Sequence, residues 1–152
     1  MTADSPLAAA LRLLTLRDRS EQDLAGRLRR KGHDEAAIAA TLQRCREFGY
    51  LDDSRFARQR AKGLLASGRA VGSRLLTELK QQGIDEQTAR EAAAEASAEI
   101  DPDQLLTELL QKRFADFRYA EADERQRRRV IQYFMRRGFS LSRVLAILKE
   151  ER

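Results

Sequence analysis

Three glycines, Gly32, Gly83 and Gly138, stand 51 and 55 residues apart, and the segments around them superimpose. They read LAGRLRRKGHDEAAIAATL, LLTELKQQGIDEQTAREAA and VIQYFMRRGFSLSRVLAIL. Four residues before each glycine comes Leu28, Leu79 or Phe134, and eight before comes Leu24, Leu75 or Val130. Those offsets lie on one helical face. Two residues after each glycine comes Asp34, Asp85 or Ser140, whose side-chain oxygens can accept a free amide hydrogen of a following helix. Ile38 and Leu42, Ala89 and Ala93, and Val144 and Leu148 then continue an apolar face. The pattern predicts a helix ended by a left-handed glycine and followed by a capped helix that turns away, laid down three times.

A third helix precedes each pair. The first runs roughly from Pro6 to Arg17, with Leu7, Leu11 and Leu14 on one face. Ser20 then caps the next helix, with Asp23 in a capping-box-like position. The second unit opens at Asp52–Asp53, carries Phe56, Ala57, Ala61 and Leu64, and breaks between Gly68 and Gly72. The third opens at Asp101, with Pro102 suited to a first turn, and runs through Leu105, Leu106, Leu109 and Leu110. A polar stretch near Ala115–Asp123 leads into a basic helix. The expected fold is all-α: three tandem three-helix repeats, over 1–50, 51–97 and 98–152, in an elongated curved array. Units of this size have small cores, so stacked neighbours stabilise one another.

Composition agrees with this and narrows the function. Charged residues are 35% of the chain and hydrophobic ones 42%, with only 2 Pro among the helix formers. MTADSP resembles no secretory signal, and no apolar run approaches the ~20 residues that span a bilayer. The single cysteine, Cys45, has no internal disulfide partner and fits a reducing compartment. The expected location is the cytoplasm. The net charge of +5 points to polyanionic or acidic partners.

No phosphate-binding glycine loop and no nucleophile–histidine set is present, so neither an enzyme nor a cofactor is expected. His33, the lone histidine, corresponds to Ile84 and Phe139 in the other units, which predicts a packed or partly buried ring rather than a catalytic or metal-binding one. Cys45 follows Leu42 by three on the apolar side of its helix and reads as a small buried hydrophobe. Asp52 and Asp53 immediately precede a helix, so capping is favoured over metal binding.

The basic residues cluster before the three glycines and in the opening helix of the middle unit. Arg55, Arg58 and Lys62 form one helical stripe there. Solvation accounts for about half of such charges; the remainder can form a partner-binding face. The expected contact residues are Arg27, Arg30, Arg58, Lys62, Arg74, Arg128, Arg129 and Arg136. A helix–glycine–helix unit also evokes DNA groove reading. Helices that begin Asp34–Glu35 and Asp85–Glu86, however, present acid where phosphate must be tolerated.

SEQDLAGRLRRKG, FGYLDDSRFARQRA, GSRLLTELKQQGI and RRRVIQYFMRRGFSLSRVLAIL, taken in order, resemble the bacterial RecX family of recombinase regulators over nearly the whole chain. The GYLDD-x-RFA block is the most specific part. Arg60 departs from the pattern, since the family tends to place an aromatic there, and that bears on local packing. The resemblance implies three-helix tandem repeats. It also implies binding to the RecA recombinase filament on DNA, restraint of its ATPase, strand-exchange and coprotease activities, and weak DNA contact. A monomer lying along the filament groove is the expected form. The alternative is a repressor or nucleoid-type protein that acts on DNA alone.

Overall fold

A computed structural model of the chain describes residues 4–150. Nine helices follow one another: α1 (Pro6–Leu16), α2 (Glu21–Arg30), α3 (Glu35–Glu47), α4 (Asp53–Ala66), α5 (Gly72–Gln81), α6 (Glu86–Ala98), α7 (Pro102–Arg113), α8 (Glu124–Arg136) and α9 (Leu141–Glu150). No strand occurs among the described residues, and the fold is all-α. The main helix–helix packing joins α1, α2 and α3, then α4, α5 and α6, then α7 and α8 to α9. The surface of 9789 Å² exceeds the roughly 7,800 Å² of a compact monomer of this mass, as an extended array requires.

Local chemistry explains where the helices begin and end. Ser5, Ser20, Asp34, Asp52, Asp85, Asp101 and Asp123 each accept an amide hydrogen of the helix they precede. Ser140 does so for α9, accepting from Arg143 N at 3.4 Å. At the other ends, Gly32, Gly83 and Gly138 have φ of 96°, 88° and 102°. The residue after each returns its N–H to a carbonyl five residues back: His33 to Leu28, Ile84 to Leu79, and Phe139 to Phe134, at 3.3, 3.2 and 3.2 Å. These are three copies of one Schellman closure, which only glycine enters without steric penalty.

The apolar positions that define the repeat are interior. Leu24, Leu28, Leu75, Leu79, Val130, Phe134, Ile38, Ala89, Val144 and Leu148 are all buried. The first unit keeps a separate core that includes Ala9, Leu24, Leu28, Ile38, Cys45 and Leu51. The second and third share one continuous core. In α1 the fully buried residues are Ala9 and Ala10, whereas the expected Leu7, Leu11 and Leu14 are half-buried. Small side chains there let α1 approach its neighbours closely.

Two local expectations are corrected. Asp23 makes no capping box; its carboxylate is held by Arg19 and Arg27. Burial alone would raise its pKa, but the hydrogen bonds and charges of Arg19 and Arg27 outweigh burial and hold it low. The capping box occurs instead at Asp123 and Gln126. The 115–123 stretch is also not simply polar, because Phe117 and Tyr119 pack on the shared core.

Candidate partner-binding surface

The units are joined by one recurring device. The Oγ of Ser20, the residue that caps α2, donates to the carbonyl of Gln82 at 2.6 Å. Val71, the residue that precedes α5, donates its N–H to the carbonyl of Arg137 at 2.8 Å. Each acceptor is the residue before a repeat glycine. The start of a unit's second helix therefore sits on the glycine turn of the next unit. A Cβ on Gly83 would lie 2.5 Å from Gln22 Cβ, and one on Gly138 would fall on the Val71 carbonyl and 2.8 Å from Arg74 Cβ. Gly32, in the first unit, faces open space.

Asp53 adds a second clasp at the first joint. Asp52 caps α4, accepting from Arg55 N at 3.0 Å. Asp53 instead reaches across to accept the Glu21 amide at 2.8 Å. Burial pushes the Asp53 carboxyl up; the Glu21 amide opposes this, while Glu21, Asp85 and Asp52 add repulsion. The structure thus divides the pair, giving Asp52 to capping and Asp53 to joining units.

On this scaffold the expected contact residues separate into different settings. Arg58 and Lys62 line one groove of 190 Å³ between α4 and α6, together with Arg55. The opposite bank carries Glu95 and Glu99. Neither Arg58 nor Lys62 has a carboxylate within ion-pair distance among the described residues. Arg74 pairs with Glu78 at 2.5 Å and lies against the Gly138 turn, two residues beyond Arg136. Arg136 is exposed, with Nε turned back to the Gln132 carbonyl at 3.3 Å. Arg128 pairs with Glu124 at 3.4 Å, and Arg129 lines a separate hollow beside Phe114 and Arg118. Arg27 is held by Asp23 at 3.2 Å, while Arg30 projects from the end of α2 and donates to the Gly26 carbonyl. No single groove gathers all eight.

Several cations act inside the fold rather than on a surface. Arg19, only 7% exposed, donates to the Leu13 carbonyl and to Asp23. Arg127 lies 4.2 Å over the Tyr119 ring and Arg137 lies 3.6 Å over Tyr133. Arg60 is half-buried, and its Nε has no hydrogen-bond partner. It borders a hollow at the first joint with Arg17, Asp18 and Gln82. The lone histidine is half-buried, whereas Ile84 and Phe139, its equivalents, are buried. Cys45 is fully buried, and burial raises its thiol pKa. No cluster of three or more metal-ligating side chains occurs among the described residues. No helix among them is long and apolar enough to cross a membrane.

A tandem array of small helical units, joined turn to helix and carrying exposed cations, defines an all-α repeat protein. Residues 7–45 match the first three-helix domain of RecX, and residues 99–148 match the third. The chain is 46% identical over 145 residues to the regulatory protein RecX of Syntrophotalea carbinolica, with 95% of each chain covered. It is 34% identical over 131 residues to that of Trichlorobacter lovleyi, covering 86% of this chain and 85% of the relative. It belongs to the RecX family of regulatory proteins. A crystal structure of a regulatory protein RecX superimposes with a TM-score of 0.74 at 26% identity, covering 96% of this chain and 70% of that one. RecX from Lactobacillus salivarius, at 21% identity, shares the fold with a TM-score of 0.69 over 95% and 93% of the two chains.

Proposed function

We propose that this chain is a non-catalytic cytoplasmic regulator, composed of units 1–50, 51–97 and 98–152, that binds the RecA recombinase filament on DNA. It restrains the filament's ATPase, strand-exchange and coprotease activities. The observation that carries this reading is the full-length likeness to regulatory RecX proteins, at 46% identity over 95% of the chain. The physical arrangement supports it. A row of units with exposed side chains such as Arg30, Arg58, Lys62, Arg129 and Arg136 can lie along a groove that repeats from subunit to subunit. Electrostatic attraction to acidic protein surfaces or DNA phosphate then speeds encounter and makes binding salt-sensitive.

Action on DNA alone is disfavoured by the exposed acids Asp34, Glu35, Asp85 and Glu86 at the starts of α3 and α6. Glu95 and Glu99 further dilute the cationic groove. The deciding experiment follows ATP hydrolysis by the cognate recombinase on single-stranded DNA as this protein is titrated in. Inhibition that saturates is the expected result. An unchanged rate at saturating protein rejects the reading, and tight sequence-selective duplex binding without recombinase would favour the repressor alternative.

A further inference from the structure

The joint between units has two sides, and among the described residues one copy of each side is left without its counterpart. Within the chain, α2 starts on the Gly83 turn and α5 starts on the Gly138 turn. Among the described residues the start of α8 seats on no glycine turn, and no helix start seats on the Gly32 turn. The Gly32 turn is exposed, with open space where a Cβ would project. Asp123 and Glu124, at the start of α8, are exposed as well. We propose that the start of α8 seats on the Gly32 turn of a second copy of this chain, so that copies associate head to tail by the joint that already links their units.

Two features of the free ends fit each other. Glu121, Asp123 and Glu124 are exposed acids around the start of α8, and Arg30 and Lys31 are exposed bases beside Gly32. Neither base has a carboxylate within ion-pair distance among the described residues. Arg29 is held by Glu35. The acceptor matching Gln82 O and Arg137 O is the Lys31 carbonyl. The donor matching the Val71 N–H is the Asp123 N–H, which the free chain satisfies internally through Gln126 Oε1 at 3.2 Å. Docking exchanges that internal hydrogen bond for an intermolecular one, so no polar group is stranded at either stage.

The contact is heterologous: the two surfaces differ, and repetition produces an open row rather than a closed pair. Inside the chain, covalent linkage supplies an effective concentration on the order of millimolar. Separate copies lack it, so association in free solution is weak and strengthens when copies are held side by side. The link to a filament rests on the recombinase-binding reading; the contact itself does not.

The test is therefore made without recombinase, by sedimentation equilibrium of the full chain at concentrations up to ~1 mM, the scale set by the tethered joint. Wild type is expected to show concentration-dependent association. Arg30→Glu with Lys31→Glu should weaken it about tenfold, as should Glu121→Lys with Glu124→Lys; all four changes in one chain should restore it. Circular dichroism checks that each variant keeps its helices. A wild type that stays monomeric throughout overturns the proposal. So does association indifferent to both reversals, or confined to closed dimers. Failure here leaves recombinase inhibition untouched, and failure of inhibition leaves this contact untouched.

Discussion

Ser20 and Gln82, 62 residues apart, are joined by a 2.6 Å hydrogen bond from the serine hydroxyl to the glutamine carbonyl. The same oxygen accepts the Asp23 amide at 3.1 Å, so one fully buried hydroxyl both starts α2 and fastens the first unit to the second. Ser20→Ala removes both bonds. Loss of a cap costs about 1 kcal/mol, and losing the part-buried hydrogen bond to the Gln82 carbonyl adds about 0.5–1.5 kcal/mol. Asp34→Ala, which removes only an exposed cap, should cost about 1 kcal/mol. Urea unfolding of the two variants measures the difference; equal losses would mean that the Gln82 bond contributes nothing.

The three repeat glycines share a backbone conformation but not an environment, and this separates two reasons for glycine. Alanine at Gly32 meets only the left-handed penalty, about 1–2 kcal/mol. At Gly83 it also meets Gln22, and at Gly138 the Val71 backbone and Arg74. Backbone cannot swing aside, and overpacking adds about 1–3 kcal/mol. Thermal melts of the alanine variants should rank Gly138→Ala as most damaged, Gly83→Ala next and Gly32→Ala least. Three coincident melts would show that the close approach is without energetic weight.

Asp53 gives the first joint a pH signature. Burial raises its carboxyl above the ordinary aspartate value of 3.8, so the folded state holds the proton more tightly than the unfolded one. A raised carboxyl contributes its stability below 3.8 and loses it as pH rises through the folded value. Asp53→Asn keeps an oxygen for the Glu21 amide and does not titrate. The variant should therefore gain on wild type as pH climbs from about 3 towards neutrality, where it is at least as stable. Stability measured against pH checks this, and a variant that loses ground over that range contradicts it. Asp85, held low mainly by the Thr88 amide and hydroxyl, acts in the opposite sense, losing its contribution as pH falls.

What could be read beforehand was local. Asp34, Asp85 and Ser140 cap helices because an oxygen three residues before an amide is placed by the backbone alone, and the spacing Leu24–Leu28–Gly32 shows directly in sequence. Asp53 and Ser20 act over long separations, and nothing in DD or in a serine before a helix tells whether a neighbouring unit will present an amide or a carbonyl. Arg127 and Arg137 resemble any other surface cation until Tyr119 and Tyr133 are placed beneath them. The α4 stripe of Arg55, Arg58 and Lys62 was legible, but its acidic opposite bank lies on α6. Pairing between helices has no signature within either one.

That groove is where the electrostatic reading is most exposed to test. Arg58 and Lys62 stand on the rim of a folded unit with no ion-pair partner among the described residues, so reversing them removes attraction for an acidic or polyanionic partner without breaking an internal bond seen among those residues. Exposed pairs contribute about 0.2–1 kcal/mol each, and reversal turns attraction into repulsion, so Arg58→Glu with Lys62→Glu should weaken filament binding about tenfold. Helical content should stay unchanged and the salt dependence should fall. Arg27→Glu is the contrast: it breaks the pair with Asp23 and places two carboxylates together, so its effect on binding should come with a lower urea midpoint. Co-sedimentation with recombinase–DNA filaments at two salt concentrations, beside urea melts of the same variants, separates the two mechanisms. Undiminished binding by the α4 double variant would exclude the groove between α4 and α6 from the interface.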